Sequence, residues 1–390
     1  MLLTAGPSDA RADDYPVGSK SSMWADPYLV GSYRHMDEIY ASRPVPRAGA
    51  VSALPAGEPL ALESFPVRGT TVALDDFVAE ARTTGLIVLK DGKVVLERYW
   101  QGADASSRFA SWSMAKSFVS TLVGFAIGDG LIRSLDDPVT DYLPELKGSG
   151  YDGVPIKAVL QMSSGVAFRE DYVDSTSDAL VMWNDVLQYN KRRFADFAAR
   201  SKRAAEPFTR FNYAGLDSVV LGLLVHKVTG QSLSAYLARK LWGPLGMEGD
   251  AGWLTEDRSD QALEAPFCCL NARLRDYARF GQFMLQNGAW GGRQLLPPGW
   301  VAEATYPSGA QVAFGKLYPG DPMGYQYQWW IEPGSDRAYA AEGVNGQFIY
   351  VNPAKKLVIV MTSVWKQFWN DRLAIRSWAL FDAIAARYGS

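Results

Sequence analysis

Two paired apolar runs stand at opposite ends of the chain. Near the start, Leu86-Ile87-Val88-Leu89-Lys90 and Lys93-Val94-Val95-Leu96-Glu97-Arg98-Tyr99 flank Asp91-Gly92. Asp-Gly between two such runs predicts a hairpin, because it tolerates the positive φ values of a tight two-residue turn. Near the end, residues 347–351 and 356–361 read as strands around Asn352-Pro353-Ala354-Lys355. A last helix is predicted over 371–388, with Ile375, Trp378, Ala379, Phe381 and Ile384 as its apolar positions. A short helix is predicted over 73–81, where Asp75 and Asp76 favour the positive end of the dipole.

Between these ends the period changes. One helical run contains Phe118, Val119, Leu122, Val123, Phe125 and Ala126. Another contains Val219, Val220, Leu223, Leu224 and Val225 and stops at Gly230. Residues 130–265 read as mostly helical, with breaks at Asp137-Pro138, Pro144, Gly148-Ser149-Gly150 and Thr229-Gly230. The pattern predicts an α/β (α+β) fold: an antiparallel sheet built from both termini, flanked by helices, with an inserted mainly helical domain. The expected division is an N-terminal arm over 1–70, an α/β domain over 71–130 and 266–390, and a helical domain over 131–265. The arm is rich in proline, glycine and alanine and reads as extended chain wrapped on the body.

Composition narrows the function classes. The 390 residues are 48% hydrophobic and 21% charged, the balance of an ordinary globular protein long enough for a large core. A net charge of −3 gives no reason to expect nucleic acid as a partner. No apolar run reaches the length of a membrane span. The basic stretch over 191–203 reads as a solvated helix face, with acidic ligands as the second reading. The 13 Trp, 19 Tyr and 17 Phe suit a large core, with some left to line a pocket. Cys268 and Cys269 are adjacent and expected to stay unbridged, which fits a reducing compartment or a protein that does not need disulfides. With the two histidines, His35 and His226, far apart, neither a metal site nor a cofactor is expected. The first residues lack a basic region followed by a long apolar segment, so a cytoplasmic protein without a signal peptide is expected.

The chemistry begins at Ser113-Met114-Ala115-Lys116, at the start of the first helical run. Residues i and i+3 share a helix face, so the lysine amine can reach the serine hydroxyl. A serine hydroxyl becomes a useful nucleophile when a base takes its proton, and a lysine kept neutral by burial can be that base. A second copy, Ser363-Val364-Trp365-Lys366, has no further motif after it and reads as accidental. The first copy is followed in order by Leu160-Gln161-Met162-Ser163-Ser164-Gly165 and by Phe211-Asn212-Tyr213-Ala214-Gly215. The Tyr213 hydroxyl could share the proton with Lys116.

This ordered set resembles the serine beta-lactamase superfamily: class C beta-lactamases, D-aminopeptidases, family VIII carboxylesterases and 6-aminohexanoate-dimer hydrolases. The resemblance covers about residues 80–385. Arg169-Glu170-Asp171-Tyr172-Val173-Asp174 is similar to a segment of the 6-aminohexanoate-dimer hydrolases, whose tyrosine closes over the substrate. It implies Ser113 as the acylated nucleophile and Lys116 and Tyr213 as its proton acceptors and donors. It implies the N–H groups of Ser113 and Val344 as oxyanion donors, the latter in Glu342-Gly343-Val344-Asn345-Gly346-Gln347. Tyr172, Trp183, Asn345 and Gln347 are the expected substrate-binding residues.

Three positions depart from the family pattern. Ala341 stands where beta-lactamases carry a lysine suited to a bicyclic lactam carboxylate. Gly215 stands where an asparagine is common, and that polar contact is lost. Trp183 stands near the acidic residue that holds the amino group of an aminohexanoate substrate, and reads either as a pocket wall or as a core tryptophan. The expected function is therefore a serine hydrolase of carboxylic esters or short linear amides. An amidase of the 6-aminohexanoate-dimer type and a catalytically silent binding protein of the same fold are the alternatives. A small-molecule substrate is the expected partner, and a homodimer is one option for the assembly.

Overall fold

A computed structural model describes residues 15–388. The first fourteen residues, on which the signal-peptide expectation rests, lie outside them. The predicted hairpin is present as β1 (Thr83–Lys90) and β2 (Lys93–Tyr99). The C-terminal half supplies β3 (Gly324–Gln326), β4 (Trp329–Ile331), β5 (Tyr339–Gly343), β6 (Gln347–Asn352) and β7 (Leu357–Ser363). They form one sheet in the order β3-β4-β5-β6-β7-β1-β2, with every neighbouring pair antiparallel. The two ends of the chain meet at the β7–β1 pairing, Val358 opposite Leu89 and Val360 opposite Ile87.

Both sheet faces are covered, which is why these strands read as apolar runs rather than alternations. Leu86 and Val88 join one core with Ile359, Met361, Phe77, Leu373 and Phe381. Ile87 and Leu89 point the other way, into the larger core with Val358, Val360, Phe280 and Phe283. The period of two splits each strand between the two cores. The C-terminal helix is Asp371–Ala385, ending three residues before its predicted limit.

Four helices carry the argument: α1 (Met114–Gly128), α2 (Gly215–Thr229), α3 (Leu274–Leu285) and α4 (Asp371–Ala385). Helix α1 is buried all round from Met114 to Ala126, consistent with its lack of a polar face. Phe118 stacks on Phe280 of α3 with ring centroids 3.8 Å apart, fixing α1 against the helix that lines the sheet. Helix α2 ends at Gly230, whose φ of 63° gives the left-handed stop that its sequence predicts.

The first 70 residues are more structured than an extended arm. They contain short helices at Leu29–Arg34 and Met36–Ile39. The strand Ser42–Val45 pairs antiparallel with Ala251–Leu254, inside a second, four-stranded sheet. The Ala251–Leu254 strand also interrupts the segment expected to be mostly helical. The basic stretch is not freely solvated. Arg192 pairs with Asp185, and Arg193 with Glu256 and Asp257.

Candidate active site

Ser113 caps the N-terminus of α1, and the preceding Trp112 takes a φ of 45°. A bulky residue in this left-handed region marks a constrained turn, here one that presents the serine at the head of the helix. Lys116 is 1% exposed, one turn along. Its Nζ donates to Ser113 Oγ at 2.9 Å and to the carbonyl oxygen of Phe267 at 2.9 Å. Burial lowers its pKa to about 8, against the opposing pull of the Glu170 carboxylate. The amine is thus held at the hydroxyl, and the lowered pKa gives it a neutral fraction at ordinary pH that an exposed lysine lacks.

Tyr213 sits on the loop that enters α2. Its ring lies 4.8 Å from Lys116 Nζ and stacks on Trp330 at 5.6 Å between centroids. Its hydroxyl lies toward the Ser113 side chain, and burial, reinforced by Glu170, raises its pKa well above the usual value. Tyr213 is therefore a neutral phenol that can pass a proton but does not start as a phenolate.

The loop carrying Tyr213 is anchored by groups that local patterning does not reveal. Buried Asp217, in the first turn of α2, accepts from Ser164 Oγ at 2.7 Å and Tyr151 at 2.8 Å. That ties the Met162-Ser163-Ser164-Gly165 motif to the helix. Glu170 accepts from the Tyr172 hydroxyl at 2.7 Å and from the Gly215 N–H at 2.7 Å. A side chain at 215 would put its Cβ 3.2 Å from the same carboxylate oxygen.

On the far wall, Gly343 ends β5 against the strand that leads to Ser113. A Cβ at this position would lie 2.5 Å from the Ser111 carbonyl oxygen, so glycine permits the close approach. The next residue, Val344, borders the same space as Ser113. Among the described residues, neither N–H is taken by a backbone carbonyl in the turns and loops. Asn345 and Gln347, expected at the substrate, are not brought there. Asn345 Nδ2 donates to the carbonyls of Trp365 at 2.8 Å and Gln367 at 3.1 Å. Gln347 Nε2 donates to Asn345 O at 3.1 Å and Ser363 O at 2.6 Å. Both side chains are buried and brace the turn behind Val344.

Two cavities open on Ser113, Glu170, Tyr172 and Val344, of about 820 and 510 Å³. The smaller is walled by Trp24, Trp112, Trp183 and Phe368, and Trp24 lies 5.6–5.8 Å from the other three rings. Trp183 is thus a half-buried cavity wall rather than a core residue. The second Ser-x-x-Lys copy comes apart in the fold, with Ser363 buried in β7 and Lys366 exposed.

Cys268, on the wall of the smaller cavity, is joined to Cys269 by a disulfide. This corrects the expectation of unbridged thiols, and the compartment inferred from them loses its basis. Cys269 takes a φ of 72°, a turn that brings neighbouring side chains together. Among the described residues no cluster of ligating side chains could hold a metal ion, and no helix is long and apolar enough to cross a membrane.

A profile of the beta-lactamase family matches residues 73–382. The chain belongs to this family. A 6-aminohexanoate-dimer hydrolase from Paenarthrobacter ureafaciens is 30% identical over 303 residues, covering 75% of each chain. The structure of a Bacillus anthracis protein assigned as a 6-aminohexanoate-dimer hydrolase superposes with a TM-score of 0.84 at 27% identity, covering 95% of this chain and 96% of that one. A family VIII carboxylesterase shares the fold, with a TM-score of 0.60 at 19% identity over 80% of this chain and 95% of that one. The expected family, the mixed α/β antiparallel fold and the serine-hydrolase class all stand.

Proposed function

We propose that this beta-lactamase-family member hydrolyses carboxylic esters or short linear amides through an acyl-enzyme on Ser113. The observation that carries the reading is the buried Lys116 amine, 2.9 Å from the Ser113 hydroxyl and shifted to a pKa of about 8. In its neutral form Lys116 accepts the hydroxyl proton across that separation while Oγ attacks the substrate carbonyl. The N–H groups of Ser113 and Val344 receive the developing oxyanion. The carbonyl–heteroatom bond then breaks, and the leaving alcohol or amine takes the proton through Lys116 and Tyr213. Water, deprotonated by the same pair, cleaves the acyl-enzyme and restores Ser113.

The aromatic wall of the smaller cavity favours an ester or amide whose group entering that cavity is apolar, since Trp183 offers no charge there to an amino end. The 30% identity to a 6-aminohexanoate-dimer hydrolase supports the amidase as the second reading. A panel of p-nitrophenyl esters, linear amides and nitrocefin separates them. Esters should dominate and nitrocefin should be poor. Predominant turnover of amides with a free amino end would replace the ester reading. A fluorophosphonate probe should label Ser113, and a protein left unlabelled would be a silent binder.

A further inference from the structure

The larger cavity differs from the aromatic one in its charge. Its wall carries five carboxyl groups, Glu170, Asp321, Glu332, Glu342 and Asp371, and one basic residue, Arg68. Four of the five are explained locally. Glu170 holds Tyr172 and Gly215, Asp321 accepts from Met323 N–H, Asp371 accepts from Trp369 Nε1, and Glu332 shares its environment with Asp382. Glu342 is different. It lies on β5, two residues before Val344, and is 9% exposed. Among the described residues no donor or cation reaches its carboxyl, and the charged neighbour that acts on it is another acid, Asp321.

A carboxyl buried without a partner is costly, and in a cavity the missing partner can be a ligand. Burial, with repulsion from Asp321 adding to it, raises Glu342 to about 8. An ammonium at hydrogen-bond distance would restore the ionised form and offset its desolvation. A carboxylate ligand would meet repulsion there, in keeping with Ala341 beside it.

We propose that Glu342 is the core of an ammonium-binding subsite, so that the substrates are acyl compounds carrying a protonated amine in the larger cavity and an apolar group in the aromatic one. The subsite rests on the acyl-transfer reading for its use but not for its binding. Inhibition of p-nitrophenyl butyrate hydrolysis by n-butylammonium, butan-1-ol and butyrate tests it. Butylammonium should compete with an inhibition constant at least about tenfold below that of butan-1-ol. Glu342→Gln, checked for folding by circular dichroism, should erase that ratio. Equal inhibition by the three, tightest inhibition by butyrate, or a ratio that survives in the variant would overturn the subsite. Because the wild-type comparison needs no variant, a misfolded Glu342→Gln leaves the test intact.

Quenching of the tryptophans on this wall, Trp330, Trp369 and Trp378, reads butylammonium binding without turnover. Saturable butylammonium binding in a protein that hydrolyses nothing and resists the fluorophosphonate would sink the acyl-transfer reading alone. Turnover without a preference for the cation would sink the subsite alone.

Discussion

The Lys116 amine is held by the carbonyl oxygen of Phe267, 2.9 Å away and 151 residues distant in sequence. That bond uses one of the ammonium protons and aims another at Ser113 Oγ. A backbone carbonyl carries no full charge, so it orients the amine without locking it as a cation in the way a carboxylate would.

The first prediction concerns the nucleophile. Ser113→Ala should lower kcat/KM by about 10⁴-fold or more with an unchanged circular-dichroism spectrum. Lys366→Ala, which removes the exposed lysine of the second copy, should cost less than about twofold. Comparable rates in wild type and Ser113→Ala would remove Ser113 from the chemistry.

The pH profile tests the proposed Lys116 base. If the neutral amine, with its pKa of about 8, is the active form, kcat/KM should rise with pH and level off above about 8. At pH 7 roughly one molecule in ten has the amine neutral. A profile that falls through this range would assign the limb to a group needed in its protonated form. Lys116→Ala and Tyr213→Phe should each cost about 10³-fold or more over the whole range.

Glu170 raises the Lys116 pKa and also holds the Tyr172 hydroxyl and the Gly215 N–H. Glu170→Gln removes the negative charge that favours the ammonium, so the rising limb should move to lower pH. Loosening of Tyr172 should raise KM at the same time. A variant whose limb stays in place would show that Glu170 acts on the site through packing alone.

Gly343 sets the distance between β5 and the turn before Ser113. In Gly343→Ala, a Cβ otherwise 2.5 Å from Ser111 O must push the strand away, and the Val344 N–H with it. The expected result is a kcat loss of about 10²-fold, the scale of one oxyanion donor. A thermal midpoint a few degrees lower, from roughly 1–3 kcal/mol of overpacking, should accompany it. Unchanged kcat would separate Val344 from oxyanion binding.

The chain's own patterning was enough for the sheet of both termini, the helices that start at Ser113 and after Tyr213, and the Ser113–Lys116 pair. Those features rest on short-range rules: a period of two for strands, three-to-four spacing for helix faces, and glycine at turns. The rest came from residues remote in sequence. Phe267 holds Lys116, Glu170 joins Tyr172 to Gly215, and Trp24 closes an aromatic wall with Trp112, Trp183 and Phe368. The bridged Cys268–Cys269 pair and the inward turn of Asn345 and Gln347 also depended on backbone that only the folded chain defines. Glu342 reads in sequence as one more charged residue. Only burial in a cavity, with no donor beside it, marks it as a site, because desolvation is a property of the surrounding fold and not of the residue.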